Sequence, residues 1–156
     1  MNAELTERLA RQLRERTTAA LGTLRAGAPY VSMVPYAIAI DGFVVHVSTL
    51  AAHTKDMLAD ARVSLLIAEP EGGGKSPLGL QRVTVQGQAR QVSSDAPESP
   101  VLSAAYLARF PDAEPMFGFA DFSVFLIRPE SARFVAGFGQ AHSLSGESMA
   151  QLLRQR

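Results

Sequence analysis

The first residues of the chain show a helical spacing of apolar positions. Leu5, Leu9 and Leu13 stand four residues apart among glutamate, arginine and glutamine. This one-sided spacing predicts an amphipathic helix over about residues 4–17, with its leucines against a larger body of structure.

The spacing changes after this helix to the alternation of β-strands. Residues 19–48 contain three short strand-like runs, separated by turn signals at 26–27 and 41–42. Pro35 falls within the second run, where it cannot donate a hydrogen bond to a neighbouring strand. We therefore predict an antiparallel meander with a bulge or an unpaired stretch at Pro35.

The remaining pattern predicts further strands and short helices. These are a helix with Thr54 at its N-cap, strands over 62–68 and 82–90, a helix over 99–110, strands over 122–128 and 132–136, and a helix over 147–154. Closing six or seven antiparallel strands into a barrel, with the helices at its rim, removes exposed strand edges. We predict a mainly β fold with flanking helices in one domain over 1–156, with the barrel over about 18–142 and a C-terminal tail or helix over 143–156.

Composition narrows the classes of function. Lys+Arg and Asp+Glu each number 15, so a net charge of zero gives no general attraction to nucleic acid or to a membrane surface. The chain has no cysteine, which excludes disulfides, thiolate catalysis and cysteine-ligated metals. It also shows no signal-peptide pattern and no run of about 18 apolar residues. We therefore expect a cytoplasmic protein without membrane insertion.

The most specific local feature is the segment 48–55, which passes from the end of a strand to the start of a helix. It reads Ser48, Thr49, Leu50, Ala51, Ala52, His53, Thr54, Lys55. Free backbone N–H groups and the helix dipole favour an anion at such a junction, hydroxyl groups can donate to it, and Lys55 adds charge. In the alternative interpretation Thr54 only caps the helix and Lys55 is solvated. The segment alone leaves both interpretations open.

Other familiar catalytic and binding patterns are not supported. His46, His53 and His142 lie far apart without the spacing of metal ligands, so no metal site is predicted. Residues 74–76 imitate the end of a P-loop, but the first glycine of that motif is missing. The polar face of the strand over 82–90 carries arginines without interleaved aromatic residues, which argues against nucleic-acid binding. Catalytic residues stay unassigned.

The order of four motifs is more specific than any one of them. The sequences VSMVPY, STLAAHTK, RVTVQGQA and GFGQA, taken in this order, resemble the FMN-binding split barrels related to pyridoxamine 5′-phosphate oxidase. The stretch from AYLARF to GFGQA is similar to the haem-utilisation branch of that superfamily. The resemblance spans about residues 18–142. It implies a six- to seven-stranded antiparallel split β-barrel that forms a homodimer, with two FMN molecules at the subunit interface.

The resemblance also implies which residues would contact FMN. Along the flavin these would be Ser32, Met33, Val34 and Pro35 at the ring, Ser48, Thr49 and Leu50 on the ribityl and phosphate path, His53, Thr54 and Lys55 at the phosphate, and Arg82, Thr84 and Gln86 approaching the flavin from the strand over 82–90.

Three functions remain open from the sequence. The first is an FMN-dependent oxidoreductase, in which the flavin takes a hydride or electrons from an unidentified small molecule. The second is a haem-binding or haem-utilisation protein on the same fold, with His142 or another exposed histidine as the iron ligand. The third is a dimeric cofactor-binding module without turnover.

Overall fold

The computed structural model describes residues 1–155 as an antiparallel sheet of eight strands with four flanking α-helices. In chain order the elements are α1 (Ala3–Glu15), β1 (Thr18–Arg25), β2 (Ala28–Pro35), β3 (Ala37–Ala39), β4 (Gly42–Ser48), α2 (Ala52–Ala59), β5 (Arg62–Ala68), β6 (Arg82–Val92), α3 (Ser99–Arg109), β7 (Phe122–Gly137), β8 (Gln140–Ser145) and α4 (Gly146–Arg154), with short 3-10 helices at Pro77–Gly79 and Pro111–Gly118. The predicted mainly β fold of the split-barrel type, with flanking helices, is confirmed.

The strands are ordered β2-β1-β5-β6-β7-β4-β3, and β8 also pairs with β7. The long strand β7 carries two partners along one edge: its first half pairs with β4 and its second half with β8. Its other edge pairs with β6 over most of its length, with a register shift after Gln86. At this shift a side chain on Gly87 would place its Cβ only 2.1 Å from the carbonyl oxygen of Arg128, so only glycine fits. The strand can thus pass Pro129 without ending.

Two predictions about the strands are wrong in detail. The strands predicted over 122–128 and 132–136 form the single strand β7, because the shift at Gly87 accommodates Pro129. The tail predicted to begin at residue 143 starts with the end of β8, so the sheet extends to Ser145 and the strand count is eight. The interruption expected at Pro35 is present, since β2 ends there and β3 begins two residues later.

Most of the apolar core lies inside the curved sheet. Leu9 and Leu13 of α1 are buried against it, as their spacing predicted, and the Tyr36 hydroxyl donates to the carbonyl oxygen of Leu13 at 2.8 Å. A second apolar cluster lies beneath α3, where Leu102 and Tyr106 pack against β3 and β4. None of the helices within residues 1–155 has the length and apolar character needed to cross a membrane.

Candidate functional site

Hydrogen bonds within the segment and to Asp121 hold the chain between the end of β4 and the start of α2 in place. The Ser48 hydroxyl donates to Oδ2 of Asp121 at 2.8 Å and accepts from the backbone N–H of Leu50 at 3.1 Å. The backbone N–H of Thr49 donates to the carbonyl oxygen of Asp121 at 2.6 Å. Ser48 is therefore already bonded to a carboxylate, and Leu50 is 77% exposed at the tip of the turn.

The start of α2 lies earlier than the sequence predicted. The helix begins at Ala52 with Ala51 at the N-cap, so no side chain caps its first N–H groups. The prediction that Thr54 is the N-cap is wrong, because two alanines before it give no sequence signal for a helix start. Thr54 instead lies inside the helix and is fully buried, and its Oγ1 has no hydrogen-bond partner. Lys55, the next residue, is exposed.

An ion pair between a half-exposed guanidinium and a buried carboxylate fastens α2 to β1. Asp56 accepts a hydrogen bond from the Thr23 hydroxyl at 2.8 Å and from Nε of Arg25 at 3.2 Å. These bonds, above all the one from Arg25, hold the pKa of Asp56 below its usual value. The Arg25 guanidinium also lies 3.8 Å from the centroid of the Tyr30 ring. The carboxylate is thus directed towards the sheet, and it fixes the orientation of the helix that carries His53.

Ser32 and His53, which were predicted to contact different parts of the flavin, lie next to each other in the structure. Nδ1 of His53 lies 3.2 Å from Oγ of Ser32 on β2. Burial lowers the pKa of His53, and the neighbouring Asp56 carboxylate opposes this shift. The imidazole is therefore neutral near pH 7, with Nδ1 engaged by a hydroxyl group and the other ring nitrogen left for a further contact.

The four predicted flavin-ring residues of β2 do not share one surface. Ser32 faces α2, and Val34 is 1% exposed, so its side chain belongs to the core. Met33 and Pro35 point to the opposite, outer face, where Met33 is 64% exposed. A ligand at the β2 edge could therefore contact Ser32 from one face, or Met33 and Pro35 from the other.

The three predicted residues of β6 lie on the outer face of the sheet. Thr84 and Gln86 are exposed there, and Gln86 accepts a hydrogen bond from the Ser131 hydroxyl at 3.3 Å, while Arg82 donates to the carbonyl oxygen of Leu80. In contrast, α2 packs on the inner face through Thr23, whose strand is separated from β6 by β5. Within one chain the structure does not bring the β6 residues together with the start of α2.

The other two histidines occupy different environments. His46 is 8% exposed and stacked on Phe117, with the ring centroids 3.8 Å apart. His142 on β8 faces the first residues of α1, beside Arg8 and Asn2. No group of three metal-ligating side chains occurs within residues 1–155.

Sequence reasoning missed Asp121, Arg25 and Thr23 as parts of this site. Each is far in sequence from the residue that it contacts, and none stands in a recognisable spacing with it. The pairing of β4 with β7 brings Asp121 to Ser48, and the packing of α2 on β1 brings Thr23 and Arg25 to Asp56. The sequence shows neither of these arrangements.

Comparison with known proteins gives consistent matches. The family model of pyridoxamine 5′-phosphate oxidase matches residues 5–136. A chloroplastic non-canonical haem oxygenase of Arabidopsis thaliana is 42% identical over 123 residues, which are 78% of this chain and 36% of that protein. The haem oxygenase HutZ of Vibrio cholerae is 30% identical over 141 residues, which are 89% of this chain and 80% of that protein.

A solved structure described as a haem-binding protein from Mycobacterium smegmatis superposes with a TM-score of 0.87 at 29% identity. The match covers 97% of this chain and 62% of that one. The chain thus spans about a third of the plant relative and less than two thirds of the mycobacterial protein.

Proposed function

Because the chain belongs to the pyridoxamine 5′-phosphate oxidase family, in its haem-utilisation branch, we propose that it binds haem at the edge of β2, with His53 as the iron ligand. The observation that carries the proposal is the Ser32–His53 pair in a chain whose relatives are named for haem oxygenation and haem binding. Because two of these relatives are named haem oxygenases, we extend the proposal to the breakdown of haem.

His53 has the properties that an iron ligand requires. A neutral imidazole nitrogen is the form that ligates iron, and burial favours this form in His53. The Ser32 hydroxyl at Nδ1 leaves the other ring nitrogen for the metal and fixes the orientation of the ring, as groups behind a ligating histidine commonly do. His46 is enclosed by aromatic rings, and His142 faces α1, away from β2. His53 is therefore the best placed of the three histidines.

The outer face beside this edge is apolar and exposed. Met33, Ala20 and Leu66 lie in register across β2, β1 and β5, and Met33 and Leu66 are 64% and 41% exposed. Val31, two residues before Met33, is 66% exposed on the same face. An uncovered apolar strip of this kind marks an association surface. A second copy of the chain, paired through this strip as a symmetric dimer, is the occupant that we propose.

A second candidate ligand is FMN, because the start of α2 carries groups that suit a phosphate. The start of α2 has no side-chain cap, Thr54 Oγ1 is buried there without a partner, and Lys55 is exposed beside it. These groups suit a phosphate, since uncapped N–H groups and a cation attract an anion and a phosphate oxygen would give the hydroxyl an acceptor. Bound FMN would supply hydride or electron transfer. His53, Thr54 and Lys55 would hold its phosphate.

Haem titration tests the main proposal. We expect the wild-type protein to produce a Soret band on titration with haem, His142→Ala to keep it, and His53→Ala to lose it or shift it. Under air with a reductant, the Soret band of the wild-type complex should decay. A wild-type protein without a Soret band would exclude haem binding. A band that survives His53→Ala unchanged would assign the iron to another ligand.

Flavin binding is tested separately. If FMN binds, its addition raises the melting temperature, because a ligand that binds only the folded chain stabilises it. Lys55→Ala should reduce this rise, whereas Lys75→Ala, which removes a lysine paired with Glu69 on a distant loop, should not. If added FMN leaves the melting temperature unchanged, FMN is excluded as a ligand.

A further inference from the structure

A groove of about 770 Å³ opens on a part of the molecule that the proposed haem site does not include. Its walls come from α1, the β3–β4 turn, α3 and the last residues of α4. Its lining contains no residue of β2 or α2. This volume is within the range of small-molecule sites, about 300–1,000 Å³.

The inside of the groove is apolar. Leu13 and Ala37 are each 1% exposed, and Leu152 and Leu153 are 5% and 7% exposed, so these side chains form a packed floor. Several alanines from α1, β3 and α3 line the remainder and keep the groove open. A hydrocarbon body would find continuous apolar contact here.

Two larger apolar residues stand at the lip. Val101 is 56% exposed, and Ile40 is 41% exposed. Ile40 also has a φ of 59°, in the left-handed region that β-branched residues rarely adopt. The turn thus holds an isoleucine at the entrance although its backbone conformation favours another residue type.

The charge of the lining has one sign. Arg14, Arg109 and Arg154 line the groove, and no aspartate or glutamate does. Arg14 pairs with Glu7 at 3.2 Å, and Arg154 approaches Asp41 at 3.8 Å. Ion pairs as exposed as these contribute little to stability, so a ligand carboxylate can replace either partner at small cost.

Arg109 is held more firmly than the other two arginines. Its guanidinium donates to the carbonyl oxygen of Arg16 and lies 5.1 Å from the centroid of the Tyr36 ring. Its Nε is buried and has no hydrogen-bond partner within the described chain. A guanidinium fixed in this way, at the wall of an apolar groove, is a suitable partner for a carboxylate.

We infer that this groove binds a carboxylate with an apolar body, of the fatty-acid class. The hydrocarbon chain packs against the leucines and alanines of the floor, and the carboxylate lies among the three guanidinium groups. A cationic amphiphile is repelled by the same arginines. A polar anion such as a nucleotide finds no partner for its polar groups along the floor.

Calorimetric titration with decanoate tests this inference, with decyltrimethylammonium as the cationic control of equal chain length. We expect decanoate to bind and the cation not to bind. Arg14→Gln combined with Arg154→Gln should weaken decanoate binding by about tenfold, as expected for the loss of charge-assisted bonds. Arg11→Gln, an exposed arginine on the same helix α1 outside the groove, should leave the affinity within about twofold.

Blocking the groove gives a second test that does not depend on charge. Ala105→Trp places an indole in the groove, whereas Ala104→Trp places it on the exposed side of the same helix. The first should abolish decanoate binding and the second should preserve it, with both variants showing the wild-type circular dichroism. Haem titration of Ala105→Trp should be unchanged, which separates the groove from the proposed haem site.

Three results would overturn the inference. They are binding of the cation as tight as that of decanoate, decanoate binding that survives Ala105→Trp in a folded variant, and loss of both haem and decanoate binding in that variant. The last result would identify the groove as the haem site itself. Failure of haem to bind any variant would affect only the proposed function.

Discussion

Oγ of Ser32 lies 3.2 Å from Nδ1 of His53, so one short contact joins the edge strand β2 to the first turn of α2. The two residues are remote in sequence, and neither makes another side-chain hydrogen bond within residues 1–155. The hydroxyl therefore determines how the imidazole is turned.

Removing this hydroxyl should weaken haem binding without abolishing it. We expect Ser32→Ala to raise the haem dissociation constant by about tenfold, because a ligating histidine loses its orienting partner. Soret titration measures the effect. Ser143→Ala, which removes a hydroxyl bonded to Arg133 at the other end of the sheet, is the control and should bind as the wild type does. Equal affinities for both variants would show that Ser32 does not position His53.

A charge on the exposed strip of β2 should dissociate the proposed dimer. We expect Met33→Glu to be a monomer by light scattering at a concentration where the wild type is a dimer, because the carboxylate would have to be buried. Val101→Glu places the same charge on an exposed apolar residue of α3 and should remain a dimer. A wild-type monomer, or a dimeric Met33→Glu, would contradict the proposed interface.

The aromatic cluster around His46 should make stability depend on pH. Burial lowers the pKa of His46 below its usual value of 6.5, so the folded chain holds it neutral. As the pH falls through 6.5 the unfolded chain takes up the proton first, and this uptake favours unfolding. The loss of stability is complete once the pH lies below the pKa of the folded state.

His46→Phe removes this dependence. The melting temperature of the variant, measured relative to that of the wild type, should increase as the pH is lowered from about 8 to about 5. Tyr106→Phe changes the same cluster without a group that titrates in this interval, so its difference from the wild type should stay constant. If the difference in melting temperature between His46→Phe and the wild type also stays constant with pH, His46 does not cause the pH dependence of stability.

The β3–β4 turn should become more stable when its strained residue is replaced. Ile40 has a φ of 59°, which costs a β-branched residue about 1–2 kcal/mol. Ile40→Asn introduces a residue that tolerates this conformation, and we expect the melting temperature to rise by about 2–4 °C. Ile40→Val keeps the branch and the strain and should give no rise. A lower melting temperature for the asparagine variant than for valine would contradict the assignment of strain.

Much of the fold could be predicted because local patterns specify it. The strand over Arg62–Ala68 and the helix near the C-terminus follow from alternation and helical spacing, and both are present. The continuity of β7 through Pro129 could not be predicted, since it depends on Gly87 of the neighbouring strand. A contact between two strands cannot be recognised from the spacing of apolar and polar residues within either strand.

The candidate site was predictable only in part. The sequence singled out the 48–55 segment by its residue types and Ser32 through a resemblance, and the structure does bring Ser32 and His53 together. It could not show that Ser48 bonds to Asp121, or that Asp56 is held by Arg25 and directed to the sheet. These contacts join residues far apart in sequence.

The double pairing of β7 has a consequence for the order in which the protein folds. Apart from the short strand β3, β4 has only β7 as a partner. The hairpin of β3 and β4 therefore joins the rest of the sheet only after a strand about 80 residues further along the chain has been synthesised. During synthesis β1 and β2 can pair early, while β4 leaves the ribosome with one edge unpaired. We therefore expect the pairing of β4 with β7 to be a late step of folding, and the unpaired β4 edge to be the part most in need of chaperone protection.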